Sequence, residues 1–240
     1  MPDHNQKALE LIYKFILDFK PDTLHILGDF LNCTSISKYE TDPYYGISFA
    51  DEINLGKVII EKLLKHVKKV NPDSQVIYSN GNHEARLLKF LSRQADELAG
   101  LNNDGEYILS IPHLLELKKH KIKFYEYGKG YRVGDYYLTH GEIARSKAGF
   151  TAQAMLDKYG SSGMSGHTHR LSFINRTQMG NIKTWIETGC LCNLQPTPAY
   201  MVSPDWCNGF VVGYEDKGKF YPQAIKIENN KFIFNGKEYI

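Results

Sequence analysis

Two short apolar segments, each followed at once by glycine and polar residues, constrain the fold of this chain most strongly. Residues 23–27 (TLHIL) run into GDFLN, and residues 75–79 (QVIYS) run into NGNHE. Both segments have the length and composition of buried β-strands. Apolar residues recur at helical spacing in residues 7–19 and 49–70, so each strand is preceded by an amphipathic helix. This alternation predicts an α/β fold with a largely parallel first half.

The remaining sequence is expected to hold one helix after the GNHE segment, from Glu84 to about Leu98, and then mainly strands. Strand-like segments read KIKFYEY, YRV, DYYLTHG, GMSGHTH, LSFINRTQ, KTWIET, GFVVGYE and KFIF, with a helix at about 150–158. Polar residues at 216–219 and 228–231 predict hairpin turns. No repeat or linker is visible, so we predict one domain over residues 1–240.

The composition is that of an ordinary globular protein, with 42% hydrophobic residues and a formal net charge of +2. The absence of an apolar run of about 20 residues excludes a membrane span, and the N-terminal sequence does not resemble a signal peptide. We therefore expect a cytoplasmic protein, in the host cytoplasm if a phage encodes it. Cys190, Cys192 and Cys207 could contact a metal ion together, but free thiols in a reducing compartment are the favoured interpretation.

Four polar clusters lie where predicted strands end, which is where ligands and catalytic groups collect in α/β folds. Each cluster contains glycine, which allows sharp turns and close approach of a ligand to the backbone. The clusters are Gly28–Asn32 (GDFLN), Gly81–Glu84 (GNHE), Thr139–Gly141 (THG) and Gly166–His169 (GHTH). Any one of them is also compatible with a simple turn or a core histidine, but the ordered set is highly specific.

This ordered set resembles the signature of the calcineurin-like metallophosphoesterases. The residues in and around GDFLN and GNHE are most similar to those of small members from phages and bacteria. The resemblance implies a two-sheet β-sandwich flanked by helices in four αββα layers. It also implies hydrolysis of a phosphoester by a metal-activated water. Two ions would polarise the phosphoryl oxygens and lower the pKa of the attacking water.

The resemblance also implies a role for each polar residue in the clusters. Asp29 would bridge both ions. Asn82, His140 and His167 would complete the coordination of the first ion, and His169 would bind the second. His83 would donate a proton to the leaving oxygen, and Glu84 would orient His83. Asn32, Arg86 and Arg170 would support the site or bind substrate phosphate. The loop aromatics Tyr44, Tyr45, Tyr200 and Trp206 could stack on a base, although core packing explains most aromatic residues.

The expected cofactors are two divalent metal ions in a mixed nitrogen and oxygen shell, with Mn²⁺ first and Fe, Zn²⁺ or Ni²⁺ as alternatives. The expected partner is a phosphoester substrate, including nucleic acid or a nucleotide, and no membrane. The oligomeric state is left open by the sequence.

One element of the family signature, the D-x-H motif that precedes GDFLN, has no counterpart in this sequence. Asp3 and His4 are adjacent and precede a helix, so they do not match this motif. Without this motif, the second ion would lose an Asp ligand and a His ligand, and the protein would bind that ion more weakly. Three explanations stay open: a start upstream of Met1, a short form with one strong metal or a substitute ligand such as His4, or a metal- or nucleotide-binding relative without turnover.

Within the family, the sequence favours a small nuclease or phosphodiesterase, with a phosphomonoesterase as the alternative. The family's phosphoprotein and dinucleotide phosphatases read GD-x-x-D-R-G, whereas this chain reads GDFLNCT and lacks the arginine. Its repair nucleases usually have GNHD and large additional domains, whereas this chain has GNHE and no room for such domains.

Overall fold

The structure is a computed structural model that describes residues 1–39, 46–195 and 204–240. These residues form a mixed α/β protein that divides into two compact units. The first unit contains Met1–Asp3 and Ile16–Tyr127, and the second contains His4–Phe15 and Gly128–Ile240. The α/β class is as predicted, and the single domain over residues 1–240 stays a prediction.

The four predicted helices are present with one exception in their bounds, and the short helix at residues 111–114 was not predicted. They are α1 (Gln6–Phe19), α2 (Phe49–Val70), α3 (Ala85–Gln94), α4 (Asp96–Ala99), α5 (Ile111–Leu114) and α6 (Phe150–Tyr159). The exception is the predicted helix 84–98, which breaks at Ala95, where φ is −159°. The side chain of Asp96 accepts a hydrogen bond from the Glu97 backbone N–H, and a short new helix begins at Asp96. Among the described helices, none combines the length and apolar character needed to cross a bilayer.

A parallel sheet organises the first unit, as the strand–helix alternation predicts. The strands of this unit are β1 (Thr23–Ile26), β2 (Gln75–Ser79), β3 (Asn102–Asn103), β4 (Glu106–Tyr107) and β5 (Lys123–Tyr125). The order β1-β2-β5 is parallel throughout, and β3 and β4 form a separate small pair. Because β1 and β2 are neighbours in parallel register, their carboxyl ends lie at the same edge of the sheet.

The second unit is built mainly from strands. They are β6 (Gly130–Val133), β7 (Tyr136–Thr139), β8 (Gly163–Ser165), β9 (Leu171–Gln178), β10 (Asn181–Thr188), β11 (Gly209–Asp216), β12 (Lys219–Lys226), β13 (Phe232–Phe234) and β14 (Lys237–Tyr239). The main sheet has the order β6-β7-β8-β10-β9, in which β7 and β8 are parallel neighbours. The ends of β7 and β8 therefore carry the THG and GHTH segments to one edge.

Each unit has its own apolar core. Fully buried residues of the first unit include Leu31, Ile60, Ile77, Tyr78, Leu115 and Leu117. In the second unit, α6 packs on the main sheet through Met155, Leu156 and Trp185. A cluster of rings surrounds Phe15, with ring centroids 5.2–5.7 Å away at Phe210, Phe232, Phe234 and Tyr239. Burial of each such side chain contributes roughly 1.5–3 kcal/mol to stability.

Candidate functional site

The loops that follow β1 and β2 bring Asp29 and His83 together in the first unit. The Oδ1 atom of Asp29 accepts a hydrogen bond of 3.0 Å from the backbone N–H of His83. The second carboxylate oxygen, Oδ2, lies 3.9 Å from Nε2 of the His83 imidazole. This distance is too long for a hydrogen bond but places a carboxylate directly beside the ring. Asn82 precedes His83 in the same loop, so the motif supplies a carboxylate, an amide and an imidazole.

Gly81 allows the two loops to approach this closely. A Cβ atom at position 81 would lie 2.1 Å from Oδ1 of Asp29 and 2.4 Å from its backbone nitrogen. No side chain fits at such distances, so glycine is a steric requirement at position 81. Asp29 itself has a left-handed backbone with φ of 51°. Outside glycine, Asp and Asn are the residues that adopt this conformation most readily.

The buried carboxylate of Glu84 connects both loops to the sheet. It is 1% exposed and accepts hydrogen bonds from the backbone N–H groups of Asp29, Leu31 and Gly81, at 3.1, 3.0 and 2.8 Å. The hydroxyl of Tyr78, on β2, donates a fourth bond of 2.9 Å, and burial together with this carboxylate raises the pKa of Tyr78. Glu84 therefore positions the backbone that carries Asp29. Its predicted hydrogen bond to His83 stays a prediction.

Asn32 and Arg86, predicted to support the site or bind phosphate, contact each other in the structure. Nη1 of Arg86 donates to the backbone carbonyl of Asn32 at 2.7 Å. The Asn32 side chain donates to the carboxylate of Asp3, and its backbone N–H donates to the buried Glu52. Both residues thus hold the GDFLN loop. A phosphate contact by Arg86 stays a prediction.

In the second unit, His140 and His167 face each other at the ends of β7 and β8. Their ring centroids are 5.3 Å apart with an interplanar angle of 74°, and His140 is only 1% exposed. Gly141 has φ of 97°, and a Cβ there would lie 3.1 Å from Cβ of Ser165. His167 and His169 both have left-handed backbones, with φ of 60° and 59°. A left-handed backbone at a residue other than glycine costs about 1–3 kcal/mol, and such residues often cluster in functional segments.

Glu187 performs in the second unit the role that Glu84 performs in the first, and the sequence analysis did not identify it. It is fully buried on β10 and accepts hydrogen bonds from the hydroxyls of Thr168 and Ser172 and from the backbone N–H of Gly149. The bond to Thr168 is 2.7 Å long and fixes the residue between the two histidines of GHTH. The sequence feature that could have identified Glu187 is the presence of an acidic residue within the apolar strand KTWIET.

His169 lies beside Cys190 and Cys192, which follow β10. One potential ligand atom from each of the three residues lies within 4.8 Å of the others. The two sulfur atoms are 3.2 Å apart, and their hydrogen bond is the main cause that lowers the pKa of Cys192 to about 5, with a further contribution from His169. The same contact raises the pKa of Cys190. The third residue proposed for a cysteine site, Cys207, directs its thiol to the carbonyl of Asn208 at 3.4 Å.

The structure gives Arg170 and Trp206 structural contacts. The guanidinium of Arg170 donates to Asp205 at 2.6 Å and to the backbone carbonyls of Arg145 and Ser146. Trp206 packs edge-on against His169, with ring centroids 4.6 Å apart. Substrate contacts by these two residues stay predictions. The other aromatic candidates, Tyr44, Tyr45 and Tyr200, lie outside the described residues.

The donor groups fit the expected class of metal ion. The predicted ligands are the Asp29 carboxylate, the Asn82 amide and the imidazoles of His140, His167 and His169. This set of oxygen and nitrogen donors suits Mn²⁺, Fe or Zn²⁺. The absence of a side chain at Gly81 lets the loop that carries Asn82 lie directly against the Asp29 carboxylate. The identity and number of the ions stay predictions.

Comparison with known proteins finds relatives from bacteriophages. No family model matches the chain. The chain is 25% identical, over an alignment 250 positions long, to the Gene 54 protein of Mycobacterium phage L5. The alignment covers 99% of this chain and 94% of the relative. It is 23% identical over 252 residues to the Gene 54 protein of Mycobacterium phage D29, covering 98% and 93%. The chain is therefore similar to two mycobacteriophage proteins over nearly its whole length.

Proposed function

We propose that this protein is a metal-dependent phosphoester hydrolase of the calcineurin-like type, acting on phosphodiesters such as nucleic acid. The observation that carries the proposal is the pairing of Asp29 with the GNHE loop. A carboxylate beside an imidazole, both at the carboxyl ends of adjacent parallel strands, is the arrangement that such a hydrolase needs. The four-layer αββα sandwich of that family is part of the proposal, beyond the α/β class described above.

The ligands of the metal ions come from the predicted polar clusters. The proposed ligands are Asp29, Asn82, His140, His167 and His169, as the family resemblance implies. A bound divalent ion supplies Lewis acidity and a nucleophilic hydroxide at neutral pH. Glu84 and Glu187 prepare these ligands, because each holds the backbone or neighbours of a ligand before any ion binds.

His83 acts as the proton donor to the leaving oxygen in this proposal. Its backbone N–H is bonded to Asp29, which holds the main chain of this residue beside the carboxylate. The Nε2 atom of the ring lies 3.9 Å from the Asp29 carboxylate, so the proposed proton donor stands beside the proposed metal ligand. General acid catalysis of this kind contributes about 10²- to 10⁴-fold to the rate.

The test uses substrates that differ only in their leaving group. The reduced chain is assayed with Mn²⁺ on a bis(p-nitrophenyl) phosphodiester and on a matched diester with an alkyl leaving group. We expect His83→Gln to lower kcat by about 10²-fold or more for the alkyl ester and far less for the p-nitrophenyl ester. The reason is that p-nitrophenolate leaves without needing a proton. His66→Gln, whose ring contacts the Lys62 carbonyl on α2, is the matched control and should leave both rates unchanged.

Three results would remove the proposal or part of it. Absence of hydrolysis with Mn²⁺, Fe²⁺, Zn²⁺ and Ni²⁺, on both diesters and on p-nitrophenyl phosphate, would contradict a hydrolase function. Equal losses for both leaving groups would reject His83 as the acid and leave it a positioning residue. Faster turnover of the monoester than of either diester would replace the diesterase assignment by a phosphomonoesterase.

A further inference from the structure

Three side chains of the second unit form a group with different chemistry from the oxygen and nitrogen donors described above. We call His169, Cys190 and Cys192 the thiol–imidazole cluster. Their potential ligand atoms lie within 4.8 Å of one another, and the two sulfurs are 3.2 Å apart. Cys190 and Cys192 are separated by one residue in an extended segment, so their side chains point to the same side. The cluster therefore presents two sulfurs and one ring nitrogen to a common point.

The backbone around the cluster is fixed by hydrogen bonds from neighbouring segments. The side-chain amide of Asn208 donates to the carbonyls of both cysteines, at 3.3 Å to Cys190 and 2.8 Å to Cys192. The backbone N–H of Cys207 donates to the carbonyl of His169 at 2.8 Å, and its carbonyl accepts from Cys190. These bonds determine the positions of all three residues in the absence of a ligand. Such support from surrounding residues is typical of metal sites.

Helix α1 and the residue before it complete this support. Asn5 donates its backbone N–H to the carbonyl of Leu191 at 2.8 Å and its side-chain amide to Asn208 at 3.3 Å. His4 pairs with Cys192 as an antiparallel bridge. The Leu191 peptide is therefore held between the chain preceding α1 and the Asn208 side chain. A segment held on both sides changes little when an ion binds.

The ring of His169 supplies a second observation that points to a ligand. Its Nδ1 atom is buried and, within residues 1–39, 46–195 and 204–240, has no hydrogen-bond partner. Trp206 covers the ring at a centroid distance of 4.6 Å. Burial of a nitrogen without a partner is unfavourable, and an ion bound through Nδ1 would remove that cost. The left-handed backbone of His169 is a further cost at the same residue.

We propose that His169, Cys190 and Cys192 bind a thiolate-preferring metal ion, with Zn²⁺ as the first choice. Two sulfurs and one imidazole nitrogen are a known donor set for tetrahedral zinc, in which a fourth position stays open for water. Binding releases the remaining thiol protons to solvent, because the metal ligands are thiolates. Two sulfurs about 2.3 Å from one tetrahedral ion lie about 3.8 Å apart, so the present separation of 3.2 Å opens only slightly.

The site shares one ligand, His169, with the proposed phosphoesterase site and differs from it in its other donors. Its donors are mainly sulfur, whereas the residues proposed for hydrolysis are mainly oxygen and nitrogen donors. Its ligands are also contained within the second unit. His169 is the one residue that both assignments use, and it gains here a set of partners that the family resemblance does not imply.

Cobalt provides the direct test, because thiolate bound to Co²⁺ gives a charge-transfer band that oxygen and nitrogen ligands do not give. The full chain is reduced, freed of metal and titrated with Co²⁺, then with Zn²⁺ as competitor. We expect one Co²⁺ per chain with this band, tetrahedral d–d intensity, and complete displacement by Zn²⁺. Cys190→Ser and Cys192→Ser should each lower the affinity by more than about 10-fold and remove most of the band.

Cys207→Ser is the matched control, since its thiol bonds to the Asn208 carbonyl and lies outside the cluster. It should leave the band and the affinity unchanged. Circular dichroism of each variant establishes that the fold is retained, and His169→Ala tests the third ligand if a serine variant fails to fold. A band that is absent in the reduced wild-type chain, or that persists in Cys190→Ser/Cys192→Ser, would overturn the proposal. Mass spectrometry showing a Cys190–Cys192 disulfide under the same reducing conditions would also overturn it.

Discussion

Single residues with no other acceptable side chain determine much of the local geometry. Gly81 is one, because a Cβ there would collide with both the carboxylate and the backbone of Asp29. Glu84 and Glu187 are two others, since each buried carboxylate accepts bonds from three or four groups in separate segments. The candidate ligands therefore depend on residues that would bind no ion themselves.

Gly81→Ala tests this steric requirement. The new methyl group would lie 2.1 Å from Oδ1 of Asp29, so the two loops must separate. We expect a loss of about 1–3 kcal/mol in the free energy of unfolding, and weaker metal binding, measured by urea unfolding and by calorimetric titration with Mn²⁺. Gly100→Ala is the control, because a Cβ there comes no closer than 3.9 Å to Glu97. Equal stability of the two variants would show that the loops are not in close contact.

The residue types of the clusters could be predicted from the sequence, but their supporting groups only in part. The proximity of Asp29 and His83 follows from the parallel pairing of the two strands that precede them. Glu84 was identified by its place in GNHE, but its bonds to the backbone of the preceding loop required the structure. Glu187 was missed because a single acidic residue in a strand is usually a solvent-facing one.

At the scale of elements, apolar periodicity predicted most helices and strands, and exceptions have local causes. The strand β12 was not among the predicted strands, although the predicted turn at 216–219 leads into it, and Pro222 is a residue that disfavours a paired strand. The strand exists because β11 pairs with it in full register, with Gly213 opposite Pro222. The break at Ala95 was also missed, because Asp96 was read as a helix interior residue when it starts a new turn.

A partly buried histidine gives the parallel sheet of the first unit a pH dependence. His25, on β1, contacts the Ser79 hydroxyl on β2 at 2.8 Å, and burial lowers its pKa from 6.5 to about 3. Between these values the unfolded chain binds a proton that the folded chain does not. This contribution to stability is therefore complete above pH 6.5 and is lost as the pH falls toward 3, by at most about 1.4 kcal/mol per pH unit.

The measurement compares wild type with His25→Gln, which retains a polar side chain on β1 without the titrating group. Unfolding by urea is followed from pH 7 to pH 4. We expect wild type to lose stability relative to His25→Gln as the pH falls, and His66→Gln to follow wild type. Parallel curves for wild type and His25→Gln would contradict the prediction.

At the scale of the whole molecule, the two compact units each contain part of the predicted ligand set. The chain was predicted as one domain, because no linker-like composition separates its halves. The division of the described residues places the start of the chain in both units, an arrangement that local sequence patterns cannot reveal because it depends on contacts between distant segments.

Metal binding is expected to stabilise the whole chain. An ion that binds only the folded protein raises the free energy of unfolding by about 2.7 kcal/mol when its concentration is 100 times its Kd. For a chain of this size that corresponds to roughly 5–10 °C in the unfolding midpoint. Calorimetry with Mn²⁺ and with excess chelator measures the shift, and Asp29→Asn and His140→Ala should each reduce it. A midpoint that does not respond to metal would argue against a folded-state ion site.

The bridge between His4 and Cys192 has a practical consequence for protein production. A polyhistidine purification tag fused before Met1 would place additional imidazoles only a few residues from the bridge. Such a tag could compete for the same cations and mimic or mask native coordination. Ile240 is 70% exposed, so a cleavable tag after this residue is the better choice for every titration.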